Sequence, residues 1–302
     1  MDFTNWMTAV KDEVHINKLV IPAAHNAGTK GVAKPGCCQD GTLYEQYRYG
    51  IREFGLFYRL KKGVLRLTHG LSTGAPLEEA LKSLSEAVHA DNTEFMIIDL
   101  RRYGDQKIGP FTFRYGDDRE TANALVEKYL EPEKYAYTDF EKIADITMGD
   151  IRKSGKKYLL HSPEKLYTGS RDFRIYDMWD KKVFGYKIDK FVKHCTDFLD
   201  TETCEDFLWF QTQQTPNPGT ENGFKKWPRE LDEEMRPHFR EVIKRIGDNP
   251  KYLEKVNIIG GDFMTRDYMK VSEILSLNLL KGFIKDECVE DYKKMIDYEV
   301  KQ

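Results

Sequence analysis

Short apolar runs alternate with segments of helical periodicity along most of this chain. Each run has the length of a strand and is bounded by polar or turn-forming residues, which is the pattern of buried β-strands. The strands predicted in this way cover residues 19–23, 50–58, 64–68, 95–100, 158–160, 183–186, 208–211 and 256–259.

Between the runs, apolar side chains recur at the three- and four-residue spacing of amphipathic helices. Pro76 precedes the first of these stripes as a helix-start residue, and Pro237 predicts a kink inside the third. The stripes consist of Leu77, Ala80, Leu81, Leu84 and Val88; of Leu125, Val126, Tyr129 and Leu130; of Leu231, Met235, Phe239, Val242 and Ile246; and of Val271, Ile274, Leu275 and Asn278.

The alternation of strands and helices predicts an α/β fold with a parallel sheet, and about eight strands predict closure into a barrel. No helix is predicted between strands 50–58 and 64–68, so the barrel is expected to be irregular. The sequence contains no internal repeat and no long linker. We therefore expect residues 1–302 to form one domain, a single irregular TIM-type (β/α) barrel.

Composition excludes several classes of function. Hydrophobic residues make up 40% of the 302 residues, which is enough for a substantial core. Lys+Arg 47 nearly balances Asp+Glu 50, so there is no global basic field and no nucleic-acid partner is expected. No apolar run approaches the roughly 20 residues of a membrane helix, and the first residues lack the order of a signal peptide.

The cysteines indicate a reducing compartment, because five are few for this length. Cys37, Cys38 and Cys288 have no metal-ligand spacing, so no zinc site is predicted. Cys195 and Cys204 would pair only in an oxidising setting. We expect a monomer that is cytoplasmic or peripheral to a membrane, although a secreted mature chain would show the same features.

The exits of the predicted strands carry the candidate functional residues, because barrel active sites form where strands lead into their following loops. A lone histidine at such an exit usually bonds a nearby backbone carbonyl. Convergence of histidines, carboxylates and arginines at one rim favours a functional site instead. The residues at these exits are His25, Asn26, His69, Asp99, Arg101, Arg102, His161, Gln211, Gln213 and Asp262.

These residue types together suit one kind of chemistry. Two histidines at one reacting centre can act as base and acid in the same turnover, since imidazole titrates near neutrality. A carboxylate behind one of them would set its tautomer, and an arginine would bind a phosphate through two hydrogen bonds. This set suits transfer of a phosphodiester to an internal hydroxyl. The sequence motifs of serine hydrolases, zinc proteases and P-loop enzymes are absent.

Six segments follow one another in the order and spacing of the phosphatidylinositol-specific phospholipase C X-domain family. They are IPAAHNAGTKG, GIREF, THG, EFMIIDLRR, QTQQTP and VNIIGGDFMTRDYMKVSEILSLN, and they extend over about residues 19–280. The chain resembles most the branch of X-domain-only proteins and glycosylphosphatidylinositol-cleaving phospholipases. The resemblance implies an irregular TIM barrel, in agreement with the strand pattern.

The resemblance also implies a role for each matching residue. His25 would be the general base on the inositol 2-hydroxyl, with Asp262 as its orienting carboxylate. His69 would be the general acid that protonates the departing diacylglycerol oxygen. The expected products are cyclic inositol 1,2-phosphate and a diacylglycerol-type lipid, from an inositol phospholipid at a membrane surface. The residues that would contact the substrate are Asn26, Arg59, Arg101 and Gln211.

The second strand departs from the family pattern. Gly55 and Phe57 stand where metal-independent members have an aspartate and a phosphate-binding arginine, and where calcium-dependent members have two carboxylates. Without such partners Asn26 is not expected to hold calcium, so we predict neither a metal nor a cofactor. Arg101, or Arg59 from one step further along the strand, would supply the missing charge. The alternative for Arg59 is a solvated basic turn.

Three functions remain open at this point. The first is an active, metal-independent inositol phospholipase. The second is a catalytically impaired relative that binds inositol phosphate or lipid head groups, which the residues at Gly55 and Phe57 favour. The third is a phosphodiesterase with another substrate. Retention of His25, His69 and Asp262 together favours catalysis, because binding alone needs no base, orienting group and acid.

Overall fold

A computed structural model describes residues 2–108, 110–114, 116, 118–178, 190–213 and 226–297 of the chain. Its strands are, in chain order, β1 Ile21–Ala24, β2 Glu53–Lys61, β3 Val64–His69, β4 Ser72–Pro76, β5 Met96–Arg102, β6 Gln106–Ile108, β7 Phe111–Phe113, β8 Tyr158–His161, β9 Ser170–Arg171, β10 Ile175–Asp177, β11 Phe207–Gln211 and β12 Ile258–Gly261. Its α-helices are α1 Leu43–Arg48, α2 Leu77–Val88, α3 Arg119–Leu130, α4 Pro132–Tyr135, α5 Met148–Ser154, α6 Phe191–Thr201, α7 Pro228–Asp248, α8 Pro250–Lys255, α9 Met269–Leu280 and α10 Val289–Ile296.

Parallel strands form a curled sheet in the order β10, β11, β12, β1, β2, β5, β8, β9. Each neighbouring pair on this path is parallel. β1 lies beside β12, so the first and last strands in chain order are neighbours in the sheet. Within the described residues the sheet is open between β9 and β10. This confirms the predicted irregular TIM-type barrel, whose strands have their carboxyl ends at one rim.

The segment 64–68, predicted as a barrel strand, forms part of an antiparallel hairpin instead. β2 continues beyond the barrel and pairs with β3, and β3 pairs with β4. Lys62 and Gly63 alone join β2 to β3, both with positive φ, and a parallel neighbour needs a much longer crossover. The short strands β9 and β10 take its place in the barrel, and the predicted strand 183–186 lies outside the described residues.

The four predicted helical stripes are confirmed. They lie in α2, α3, α7 and α9, and Pro76 is the residue that caps the start of α2. Pro237 lies inside α7, which is one continuous helix, and the kink expected there stays a prediction. α9 packs against both β1 and α7, and the four residues of β1 are buried, so the strand that leads to His25 is held from both sides.

None of the described helices combines the length and apolar character that crossing a membrane requires.

Candidate active site

His25 and Asp262 are neighbours at the carboxyl ends of β1 and β12. β1 and β12 pair in register, with Ala24 opposite Gly261, so the residue after each strand is also a neighbour of the other. The Nδ1 atom of His25 donates a hydrogen bond to Oδ1 of Asp262 at 2.7 Å. This bond places the proton of the neutral imidazole on Nδ1 and leaves Nε2 as a hydrogen-bond acceptor, which is the state a general base requires.

The backbone turns sharply after both residues. Asn26 and Phe263 both adopt a φ of 48°, in the left-handed region that residues other than glycine rarely occupy. Such a conformation costs on the order of 1 kcal/mol per residue and persists where the surroundings hold it in place. The two turns carry the chain away from the rim, so the side chains of His25 and Asp262 remain at the mouth of the barrel.

Gln39 holds the two strand ends together. Its Nε2 group donates to the carbonyl oxygen of His25 at 2.9 Å and to that of Gly261 at 2.8 Å. Its Oε1 atom accepts a hydrogen bond from the amide of Met264 at 3.1 Å. The side chain is fully buried. Gln39 thus fixes the spacing of β1 and β12 next to the candidate base and its carboxylate.

Asn26 contacts the candidate base directly. Its side-chain amide lies 2.7 Å from Nε2 of His25 and donates to that nitrogen. A substrate hydroxyl that gives its proton to Nε2 must therefore displace this amide, which can then bind the substrate itself. The predicted placement of Asn26 at the site is thus consistent with the geometry.

His69 faces His25 from the hairpin. The two ring centroids are 5.7 Å apart, with the rings nearly perpendicular at 83°. Nδ1 of His69 donates to the carbonyl oxygen of Gly36 at 3.1 Å, so a second proton, when present, resides on Nε2. Burial is the largest influence on this imidazole and lowers its pKa below the ordinary value of 6.5, an effect that His25 reinforces.

Gly28 allows the His69 hairpin to approach. A Cβ atom at this position would lie 2.2 Å from Cδ1 of Leu67, a buried residue of β3 two positions before His69. The small residues that follow His25 therefore permit close packing of the strand that carries the second histidine. This packing accounts for the run of small side chains directly after a strand exit.

Arg59 is buried and not solvated. Its guanidinium donates to the carbonyl oxygens of Gly70 at 3.5 Å and Leu71 at 2.5 Å, in the turn directly after His69. The side chain is 4% exposed. The alternative of a solvated basic turn is therefore wrong for Arg59, whose bonds stabilise the turn beside His69. Its contact with substrate stays a prediction.

Arg101 lies at the end of β5 inside the rim. Its Nε group donates to Oδ1 of Asp99 at 2.7 Å, and its guanidinium lies 6.0 Å from the ring centroid of Phe57. Phe57 and Arg101 are opposite each other in the register of β2 and β5, as are Gly55 and Asp99. The two positions that depart from the family pattern thus face an arginine and an aspartate on the next strand.

Glu53 and Trp209 form the floor below these residues. The indole Nε1 of Trp209 donates to Oε2 of Glu53 at 2.8 Å, and Gly260 leaves the space in which the indole lies. Glu53 is fully buried, and this burial, followed by the nearby charge of Asp99, raises the pKa of its carboxyl well above the usual range. Burial therefore disfavours the charged form of Glu53.

Gln211, predicted to contact substrate, lies at the end of β11 and is 3% exposed. Its Nε2 group donates to Asp177, and its Oε1 atom accepts from Gln213. The barrel interior near Gln211 is thus lined by a hydrogen-bonded polar chain. Asp177 is absent from the sequence prediction because β10 has only three residues, too few for a periodic pattern.

Cys38 is another site residue that sequence reasoning missed. Its thiol lies 3.5 Å from Nδ1 of His69, and burial, followed by the nearby charge of Asp262, raises the pKa of this thiol well above its usual range. The side chain is 1% exposed. Cys38 and Gln39 enter the site from a loop, so no strand or helix period points to them.

Comparisons with known proteins identify the fold. A scan against protein-family models gave no match, and a search of curated proteins gave no significant match. The phosphatidylinositol-specific phospholipase C of Listeria monocytogenes matches with a TM-score of 0.64 at 17% identity, over 92% of this chain and 99% of that chain. A variant of the enzyme of the same name from Staphylococcus aureus matches with a TM-score of 0.65 at 15% identity, over 91% and 96%.

A third structure, also of the Staphylococcus aureus enzyme and described in connection with modulation of its membrane binding, has a TM-score of 0.63 at 16% identity. It covers 91% of this chain and 97% of its own. The chain therefore has the fold of bacterial phosphatidylinositol-specific phospholipases C, which agrees with the resemblance carried by its motifs. The branch within that family stays a prediction.

Proposed function

We propose that this chain, which shares the fold of bacterial phosphatidylinositol-specific phospholipases C, cleaves the phosphodiester of phosphatidylinositol or a glycosylated derivative at a membrane surface. The observation that carries this proposal is the pairing of His25 with Asp262, with the ring of His69 5.7 Å from the ring of His25. Attack of an internal hydroxyl on the phosphorus requires a base, a carboxylate that orients the base, and an acid.

The proposed reaction begins with proton transfer to Nε2 of His25. The inositol 2-hydroxyl loses its proton to this atom and its oxygen attacks phosphorus, while Asp262 stabilises the resulting imidazolium. The bond between phosphorus and the diacylglycerol oxygen breaks, and His69 donates its Nε2 proton to that oxygen. The products are cyclic inositol 1,2-phosphate and diacylglycerol, and proton exchange with water restores both histidines.

Arg101 would bind the phosphate in this reaction. Its side chain is 32% exposed, and the bond to Asp99 directs the guanidinium while leaving other donors available. We expect Arg101→Ala to raise KM and to lower kcat, because the phosphate gains negative charge in the transition state. Arg101→Lys should restore only part of the loss, because a lysine lacks the two-pronged donor geometry. Steady-state kinetics on lipid vesicles measure this, and full activity of the alanine variant would exclude Arg101 from phosphate binding.

The pH dependence follows from the partial burial of His69. Its lowered pKa means that the protonated, acid form is lost at a lower pH than for an ordinary histidine. The optimum of kcat/KM lies midway between the pKa values of acid and base, so it should shift to the acidic side. NMR titration of the His69 ring in the free protein should give a midpoint below 6.5, and a midpoint at or above that value would contradict this.

We propose that turnover needs no metal ion. Calcium takes about six to eight oxygen ligands, several of them carboxylates. At the rim, Asn26 offers one amide oxygen, whereas Gly55 and Phe57 offer no side-chain oxygen. The charge of the phosphate would then be met by Arg101 and by the protonated form of His69.

The experiment that tests the proposed function is incubation of the protein with phosphatidylinositol vesicles, with and without EDTA. We expect release of diacylglycerol at equal rates in both, and none from matched phosphatidylcholine vesicles. Activity that disappears in EDTA and returns with calcium would refute metal independence and direct attention to Glu53 and Asp99. Absence of release under both conditions, from phosphatidylinositol and from a glycosylated phosphatidylinositol alike, would contradict the proposed activity.

A second candidate is a protein that binds inositol phosphate head groups without cleaving them. The specific observation in its favour is that Gly55 and Phe57 replace the charged pair of active relatives. Binding of inositol phosphate, measured calorimetrically, together with no release of diacylglycerol would support this alternative over the enzyme.

A further inference from the structure

Cys38 lies among the catalytic residues, yet the proposed acid–base chemistry makes no use of it. One atom of each of His25, Cys38 and Asp262 forms a group within 4.8 Å, and Nδ1 of His69 is 3.5 Å from the Cys38 sulfur. The three side chains of this group come from the end of β1, a loop and the end of β12. They bring an imidazole nitrogen, a sulfur and a carboxylate oxygen within 4.8 Å of one another.

These are the donor types that zinc selects. A tetrahedral zinc ion holds sulfur at about 2.3 Å and nitrogen or oxygen at about 2.0–2.2 Å, which places its ligands roughly 3.3–3.8 Å apart. The largest separation in the observed group of atoms exceeds this by roughly 1.0–1.5 Å. Small side-chain rotations therefore suffice to surround an ion. Three protein ligands and one open or fourth position make a complete zinc site.

The backbone fixes the cysteine in this position. The amide of Cys38 donates to Oγ1 of Thr29 at 3.0 Å, and its carbonyl oxygen accepts from the amide of Phe263 at 2.7 Å. Phe263 directly follows Asp262, so one backbone hydrogen bond joins the segment that carries the thiol to the segment that carries the carboxylate. The sulfur is therefore held near the carboxylate before any ion arrives.

We propose that zinc, or another thiophilic divalent cation, binds at His25, Cys38 and Asp262, with the fourth position open, and that it blocks turnover. Binding releases the thiol proton of Cys38 to solvent and forms a sulfur–metal bond. It also occupies a ring nitrogen of His25 and the carboxylate of Asp262, so the base and its orienting partner are lost together. The thiolate and imidazole ligands select zinc over calcium and magnesium, which prefer oxygen.

The binding step is tested with cobalt as a spectroscopic probe of the metal-free full-length protein. Wild type and the control Cys37→Ser should show a thiolate-to-cobalt charge-transfer band in the near ultraviolet, which zinc abolishes and calcium leaves unchanged. Cys37 is the matched control because it adjoins Cys38 but bonds the carbonyl oxygen of Gln39 and is not part of the group. Cys38→Ser should show no such band, and a band of wild-type strength in this variant would overturn the proposal.

The inhibition step rests on the proposed function and is measured on phosphatidylinositol vesicles. Each protein is compared with its own metal-free rate, because Cys38→Ser is expected to alter that rate through His69. Zinc should inhibit wild type and Cys37→Ser equally, and Cys38→Ser should need at least about tenfold more zinc for half inhibition. Equal sensitivity of Cys38→Ser would overturn the proposal.

The two failures are distinguishable, because the cobalt spectrum requires no lipid. A charge-transfer band without any lipid cleavage would leave the metal site standing and contradict the proposed activity. Cleavage without the band would remove the metal site alone. If Cys38→Ser does not fold, X-ray absorption at the zinc edge of the wild-type complex decides, since one sulfur ligand is expected and a shell of nitrogen and oxygen only would refute the site.

Discussion

Replacing His25 with alanine is expected to lower kcat on phosphatidylinositol by at least two orders of magnitude, and His69→Ala is expected to do the same. A positioned base or acid contributes about 10²–10⁴-fold, and each histidine performs one of the two proton transfers. Both lie at the rim with their rings 5.7 Å apart. The measurement is kcat on vesicles at saturating lipid, and wild-type activity of either variant on its true substrate would exclude the two-histidine mechanism.

The double variant carries additional information. If both transfers belong to one step, losing the second histidine after the first should cost far less than it does in wild type, because groups that act as a unit are not additive. His15→Ala is the matched control, since this histidine is exposed and its backbone pairs with Thr147, which belongs to no barrel strand. The control should keep wild-type kcat. Circular dichroism should show the same thermal transition in wild type, the two single variants, the double variant and the control.

The second large effect is expected for Asp262→Asn, with a fall in kcat of about 10²–10⁴-fold. Asparagine keeps the size of the side chain but cannot stabilise the imidazolium of His25, and it can present its amide to Nδ1 and so reverse the tautomer. Asp262 is 2% exposed and bonds His25, so the proposal gives it no contact with substrate and KM should change little.

A structural role for Asp262 would give a different result. Its backbone carbonyl already accepts a bond from Lys270 at 2.6 Å, a contact that the asparagine variant keeps. Loss of the thermal transition in Asp262→Asn would therefore show that the carboxylate holds the barrel and would contradict a role limited to orienting His25. Asp248→Asn serves as control, because this carboxylate is exposed and pairs with Lys244 on the surface of α7.

The pairing of His25 with Asp262 was implied by the family resemblance, and the strand pattern alone places both residues at one rim. Each residue directly follows a buried apolar run, and closure of a barrel makes its first and last strands neighbours. Two such residues are then adjacent at the rim, regardless of the conformation of the loops. The register observed between β1 and β12 is the physical reason for the success.

The hairpin could not be predicted in the same way. A five-residue apolar run such as 64–68 has the same period in a hairpin as in a barrel, so only the short turn at Lys62 and Gly63 separates the two cases. The alternative of a solvated turn at Arg59 fails for a related reason. A basic residue near a turn usually faces solvent, but the hairpin folds back so that the carbonyl oxygens of Gly70 and Leu71 bind it.

Cys38 and Gln39 mark the limit of pattern reasoning at the site itself. Both reach the rim through a loop whose path depends on tertiary hydrogen bonds, notably those from the backbone of both residues to Oγ1 of Thr29. No periodicity encodes such a path. The same holds for the polar floor of Glu53 and Trp209, where alternation indicates an inward-facing side chain but not its partner.

The most direct test of the central claim is ³¹P NMR of the water-soluble product during cleavage of phosphatidylinositol vesicles by the full chain in EDTA. Attack by the inositol 2-hydroxyl, with His25 as base and His69 as acid, predicts that cyclic inositol 1,2-phosphate appears first and that the His25→Ala and His69→Ala variants produce it at least about 10²-fold more slowly. Acyclic inositol phosphate as the first product, or unchanged formation of the cyclic product by either variant, would contradict the account.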